Sequence, residues 1–268
     1  MRKSLFIREG IFSMRYIKGF YMSLGMFCGI PLPFHLWDEK YMPMMVASLP
    51  LVGLVIGAVW WAAGLLLVSM SLPLMMKAAL FTVAPFFIAG FIHLDGYMDT
   101  SDALLSRRPL EDKVRILKDP RVGAFAVIML AVLFLLQFAA MYTVAEKGRF
   151  LALFIVISVL SRSCSALSIL VLRHMPESNY AAMLGQNIDG ASKVFVIAVG
   201  FTAVFLSFLH AGVFGLIVAL SVLLGYAAAM RVVYKDFNGV SGDLLGYSLV
   251  ISELCGLIAL ALLQGAEI

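Results

Sequence analysis

The sequence predicts an all-α polytopic integral membrane protein: a helical bundle of about seven transmembrane helices, its N-terminus cytoplasmic, with residues 1–268 forming a single catalytic domain. Three observations predict it. First, 62% of the 268 residues are hydrophobic and 13% are charged, and mean hydropathy is +0.99. Ordinary soluble domains carry about 45–50% apolar and about 25% charged residues. Second, the apolar residues fall into runs of roughly 18 or more, the length a bilayer demands of a helix. Third, Lys and Arg sit overwhelmingly on one side of the implied topology.

In chain order, residues 1–18 carry Arg2, Lys3, Arg8, Arg15 and Lys18 without the apolar run of a cleavable signal peptide. Met14–Trp37 mixes Gly19, Gly25 and Gly29 with Pro31 and Pro33, which predicts an interfacial or re-entrant segment rather than an ordinary span. Trp37 and Tyr41 suit the headgroup level. The first span is Met44–Met70, with the close-packing signal Gly53-x-x-x-Gly57. Ser71-Leu-Pro73 connects it to the second, Leu74–Ile92. Val122–Ala145, Phe150–Leu172, Val194–His210, Gly212–Met230 and Leu244–Leu263 complete seven. The tight His210-Ala-Gly212 connection makes the fifth and sixth a candidate helical hairpin. Met175–Asp189 reads as a loop or short interfacial helix, and its Asn179, Gln186 and Asp189 carry no functional signal.

With the N-terminus inside and Met14–Trp37 not crossing, all the Lys and Arg residues except Lys77, Lys147, Arg149 and the in-span Arg162 face the cytoplasm. The net charge of +4 is thereby explained by topology, not by nucleic-acid binding. Cys28, Cys164 and Cys255 are far apart, with no metal or disulfide spacing. Every polar cluster of the chain lies on that one side of the cytoplasmic membrane.

Chemistry concentrates in His93–Gly123. On a helix, Asp95, Asp99 and Asp102 fall at roughly 0°, 40° and −20°, so three carboxylates share a face. Like charges there repel, and a hard divalent cation such as Mg²⁺ or Mn²⁺ would relieve them. A solvated acidic face is the alternative, but these carboxylates directly follow an apolar helix, where such residues are expensive and usually functional. His93 can be a metal ligand, a general base or a helix-end histidine. Lys118 and Arg121, at the start of the third span, suit phosphate binding at a helix N-terminus. Arg107, Arg108 and Lys113 fit anchoring to anionic headgroups equally well.

Near the C-terminus, Phe237–Gly246 contains Gly239 and Gly242, which permit close backbone approach, and Asp243, which can cap the last helix. Glu253 lies about three turns deeper and needs an internal partner, for which Arg162 is a candidate. Together these parts describe a cytoplasm-facing membrane site suited to phosphoryl-type transfer.

The stretch His93-Leu-Asp95-Gly96-x-x-Asp99-Thr100-x-Asp102, followed by Lys118-Asp119-x-Arg121-x-Gly123-Ala124-Phe125, resembles the signature of the cobalamin synthase (adenosylcobinamide-GDP ribazoletransferase) family. Ile30-Pro-Leu-Pro33 and Gly239-Val-Ser-Gly242-Asp243-Leu-Leu-Gly246 with Glu253 agree with it, so the resemblance covers nearly the whole chain. It implies a multi-pass, Mg²⁺-dependent enzyme of late cobalamin synthesis, which joins α-ribazole or its 5′-phosphate to adenosylcobinamide-GDP and releases GMP. On that reading Asp95, Asp99 and Asp102 hold Mg²⁺ on the diphosphate, and Lys118 and Arg121 neutralise its oxygens. One carboxylate or His93 accepts the alcohol proton, and Asp243 and Glu253 complete the metal site or orient ribazole. Membrane lipid is the surrounding partner. Association with further copies or with other cobalamin enzymes is left open.

Two other classes are weighed. A CDP-alcohol phosphotransferase would show Asp-Gly-x-x-Ala-Arg, whereas Tyr97-Met98-Asp99 follows Asp95-Gly96 here. A cation-coupled transporter would place its carboxylates on broken helices at mid-membrane rather than at one side.

Overall fold

The computed structural model describes residues 2–176, 178 and 190–266. Most of Met175–Asp189, including Asn179, Gln186 and Asp189, lies outside the described residues. The chain forms α1 (Arg2–Phe27), α2 (Met42–Ala47), α3 (Leu49–Ser69), α4 (Leu74–Ala89), α5 (Ile92–Leu105), α6 (Leu110–Leu117), α7 (Ala124–Lys147), α8 (Leu153–Val171), α9 (Gly190–Phe237) and α10 (Gly242–Ala266). No strand is present among the described residues; the one bridge joins His174 to Val240.

By length and composition, five helices suffice to cross a membrane (α3, α7, α8, α9, α10), or six when α4 and α5 count as one bent pair. The predicted apolar runs fall on α3, α4, α7, α8, α9 and α10. At 48 residues, α9 would be roughly 72 Å long if straight, far more than a bilayer's hydrocarbon core. It is broken at Ala211 (φ −133°, ψ 16°) and Gly212 (φ 57°, ψ −136°), conformations no helix contains. A Cβ on Gly215 would collide with the Ser207 carbonyl. In an unbroken helix those positions lie about two turns apart, so the two limbs fold back on each other as the His210-Ala-Gly212 connection suggests.

α8 is the centre of the bundle, 78% of its apolar window being buried, against 28% for α7 and α9. α3 lies on it through the predicted glycine pair. A Cβ at Gly57 would stand 2.6 Å from Ile155 Cα, and one at Gly53 would strike the Ser158 carbonyl. Closely apposed helix backbones of this kind are what small residues permit in membranes. Trp60 stacks on Phe154 at 4.2 Å beside them, with Phe81 edge-on at 5.8 Å.

Two local readings change. α1 continues as a helix through Gly19 and Gly25 to Phe27. Gly19 does not break it: a Cβ there would stand 2.5 Å from Met44 Cβ, so the position serves packing against α2. In keeping with the sequence reading, α1 is not among the helices long and apolar enough to span. The second correction concerns Leu74–Ile92, which does not run straight into the charged stretch. α4 stops at Gly90 (φ 73°) and Phe91 (φ 64°), and α5 leaves at 98° to it. Gly29 fits into this corner, its N–H donating to Ile88 O at 2.7 Å.

The polar connections segregate to two ends. At one, Lys113 of α6 pairs with Asp236 of α9 at 2.6 Å. Beside it, Met175 N–H donates to Val240 O and Val240 N–H to Arg173 O, each at 3.0 Å. A Cβ on Gly239 would stand 2.8 Å from Met175 N, the close approach expected of that glycine. At the other end, Lys77 Nζ donates to Val68 O at 3.0 Å and Gln264 Nε2 to Arg149 O at 2.6 Å.

Candidate active site

The site is built where α5 crosses the start of α10. Two glycines set the crossing. A Cβ on Gly96 would stand 2.8 Å from Asp243 Cα, and one on Gly246 would stand 3.1 Å from His93 O. Tyr97 and Tyr247 stack beside them at 5.5 Å, and Tyr97 Oη donates to Met129 O of α7 at 3.1 Å. α5 is thus wedged between α7 and α10, and its amphipathic acidic face is fixed in direction by the packing of its other side.

That face carries Asp95, exposed, with Asp99 and Asp102 half-buried. α10 adds a fourth carboxylate, Asp243, to the three on α5. Asp99 shows their mutual effect. Burial raises its carboxyl to about 6, helped by the charges of Asp95, Asp243 and Asp102. No cation figures among those causes. A cluster of carboxylates without a balancing cation is a functional candidate on physical grounds.

Asp102 is turned to the start of α7. A Cβ on Gly123 would overlap its carboxylate, so any larger residue there must displace the Asp102 side chain. The carboxylate therefore occupies a helix N-terminus, where a negative charge is favoured. The helix end next to Lys118 and Arg121 is thus faced by an anion of the protein. Arg121 is likewise engaged: Nε and Nη2 grip Asp119 at 2.9 and 2.7 Å, holding that carboxyl down at about 2. Lys118 is exposed at the end of α6.

His93 opens α5 with its ring stacked on Phe27 at 5.9 Å. Its Nε2 is buried with no hydrogen-bond partner. The Arg162 cation stands close to the buried ring. Glu253 is not among the groups acting on Asp99. It pairs with Arg162 Nη1 at 2.5 Å and accepts from Ser161 Oγ at 3.0 Å, and it shares with His93 a small cavity beneath the site.

Beside Asp243 a cavity of about 450 Å³ opens between α1, α2, α8 and α10, with His93, Ser165 and Ser241 among its lining. The sequence points to Arg162 in this part of α8, and the neighbouring Ser165, a hydroxyl in an apolar span, is the signal it offers for the cavity.

The chain matches the family model described as cobalamin-5-phosphate synthase over residues 19–261. Among relatives, an adenosylcobinamide-GDP ribazoletransferase of Clostridium perfringens is 35% identical over 248 residues, 92% of this chain and 99% of the relative. Its namesake from Clostridium botulinum is 35% identical over 245 residues, 91% of this chain and 97% of the relative. One from Geobacillus thermodenitrificans is 33% identical over 239 residues, 85% and 89% of the two chains. The chain belongs to the cobalamin-5-phosphate synthase family. No solved structure matches it.

For this cobalamin-5-phosphate synthase family member, the donor chemistry can be tested against Mg²⁺. Among the described residues, no three His, Cys, Asp or Glu side chains converge closely enough to hold a metal ion by themselves. Mg²⁺ does not need such a cage: it usually keeps several waters and takes one or two carboxylates together with substrate phosphates. Hard oxygen donors without a balancing cation suit that mode of binding.

Proposed function

We propose that the protein is an adenosylcobinamide-GDP ribazoletransferase, joining α-ribazole or its 5′-phosphate to adenosylcobinamide-GDP with release of GMP. The observation that carries this reading is the family's aspartate signature, gathered with Asp243 into one acidic patch beside a nucleoside-sized cavity. A ribose hydroxyl of ribazole attacks the phosphorus attached to cobinamide. The bond from that phosphorus to the GMP oxygen breaks, GMP keeps the electron pair, and the hydroxyl proton passes to a base.

Asp95 and Asp99, with Asp102 or Asp243, are the residues that would hold Mg²⁺ on the diphosphate. Bound there, the ion would neutralise charge on the transferring and leaving oxygens. The protein's own contributions are positional. α5 and α10 present the carboxylates rigidly, and Lys118 supplies positive charge near the leaving nucleotide. Arg121 can do so once it exchanges Asp119 for phosphate. A carboxylate of the patch suits proton acceptance better than His93, whose Nε2 is buried while Asp95 is exposed. The same reading puts the N-terminus and the acidic patch on the cytoplasmic side of the inner membrane, the side the positive-inside bias favours.

A single-turnover assay in membranes tests this. Wild type supplied with adenosylcobinamide-GDP, α-ribazole 5′-phosphate and Mg²⁺ is expected to release GMP and form cobalamin phosphate, and to do neither in EDTA. Absence of GMP release from folded wild type would overturn the assignment.

A further inference from the structure

The cavity beside Asp243 has a composition that discriminates among the parts of the two substrates. Its walls are apolar and aromatic, including Phe27, Trp37, Ile169 and Leu249. At about 450 Å³ it falls within the range of roughly 300–1,000 Å³ typical of small-molecule pockets. Among the described residues, no Lys or Arg lines it. Among its lining residues, His93 and Ser178 each carry a buried polar atom, Nε2 and Oγ, without a hydrogen bond. The Ser165 hydroxyl stands beside that of Tyr226 and interacts with it. Unsatisfied buried polar atoms cost about 1–3 kcal/mol each, and such atoms on residues around one cavity are groups a ligand can pair with.

From this geometry we infer that the cavity is the subsite for the heteroaromatic base of ribazole, stacked among Phe27, Trp37 and His93, with its ribose directed to Asp243. This rests on the transferase reading and deepens it. The corrin of the other substrate is far too large for the cavity. Its diphosphate would find no cation in the walls. A flat, uncharged benzimidazole buries well against apolar side chains, and its ring nitrogens meet His93 or Ser165. The placement also puts the ribose hydroxyls at the acidic patch, on the side from which the phosphorus must be attacked.

The subsite is tested with two variants in detergent-solubilised full-length protein. Ile169→Phe fills the cavity from α8, and Ser165→Ala removes a hydroxyl from its lining. Ile169→Phe is expected to raise KM for α-ribazole at least tenfold with KM for adenosylcobinamide-GDP unchanged, which also reports an intact fold. Ser165→Ala is expected to raise KM for α-ribazole about threefold, and it carries the test should the larger variant fail to fold. Equilibrium dialysis of α-ribazole alone should show binding to wild type that guanosine does not displace.

A wild type that turns over while both variants leave KM for α-ribazole unchanged would overturn the subsite and leave the reaction standing. Displacement by guanosine, or a rise confined to KM for adenosylcobinamide-GDP, would do the same by assigning the cavity to the nucleotide. No turnover in wild type that nevertheless binds α-ribazole would overturn the reaction instead.

Discussion

Two charged regions lie close together around His93 and are built on opposite terms. Arg162 and Glu253 sit within the bundle, Arg162 fully buried, and they answer each other at 2.5 Å with Ser161 bonded to the same carboxylate oxygen. The acidic patch on α5 and the start of α10 gathers Asp95, Asp99, Asp102 and Asp243 with no cation among the influences on Asp99. The first is a closed account of charge, and the second is left open. A charge pair balanced within the protein can hold structure without a ligand. Unbalanced charge of one sign, kept rigid at some energetic cost, is what a cationic or phosphate-bearing ligand can use.

The sharpest way to break the comparison is to open the closed pair. Glu253→Leu leaves Arg162 buried and unpaired, and should destabilise the protein by about 3–5 kcal/mol. Removing both charges, as Arg162→Met with Glu253→Leu, should recover most of that loss, because a buried pair and apolar residues of similar volume are often close in stability. Thermal unfolding in detergent reads both. If Glu253→Leu instead melts like wild type but loses turnover, Glu253 belongs to the chemistry and the division drawn above fails.

The converse holds for the open patch. Asp99→Asn should cut GMP release on the order of 10²–10³-fold, about 3–4 kcal/mol of barrier. It should leave the melting temperature unchanged or raised, since it removes a carboxylate that its neighbours repel. Activity surviving in Asp99→Asn would remove it from the ion-holding set and shift that role to Asp95 and Asp243.

Much of this contrast could be read from the chain, and the reason is local periodicity. The aspartates at 95, 99 and 102 share a helical face whatever surrounds them, and Gly53-x-x-x-Gly57 announces a close helix contact by spacing alone. An Arg and a Glu in apolar spans need partners, so their pairing is legible too. The corner at Gly90-Phe91 is not. A left-handed phenylalanine is imposed by tertiary contacts, here the fit of Gly29 against Phe87 and Gly90, and no neighbouring residue signals it. Nor does spacing show that Asp102 would be turned onto Gly123. The cavity draws on α1, α2, α8 and α10, and only folding brings those together.

Gly123 offers a finer test, because it acts on the patch without changing its charge. In Gly123→Ala the new methyl group meets the Asp102 carboxylate, which must move. A displacement of about 1 Å near reacting groups can cost up to about 100-fold in rate. Turnover is therefore expected to fall 10–100-fold with Asp102 still ionised and the bundle intact. Full activity in Gly123→Ala would show that Asp102 acts without its place at the start of α7.

The smallest effect is the dependence of stability on pH. With its carboxyl raised to about 6 in the fold, Asp99 binds its proton more tightly folded than unfolded. Stability from this group is thus fully present below about pH 4 and is lost as pH rises from there through about 6. Asp99 is partly exposed, so screening holds the change to about 1 kcal/mol or less. Melting temperatures measured in EDTA should decline across that window in wild type, and that part of the decline should vanish in Asp99→Asn. Added Mg²⁺ should flatten the wild-type profile as well, since an ion on the patch compensates the charge whose exposure to its neighbours produces the slope. A slope equal in wild type and variant would mean that the carboxylates around Asp99 are already balanced, and the patch would then be as closed as the Arg162–Glu253 pair.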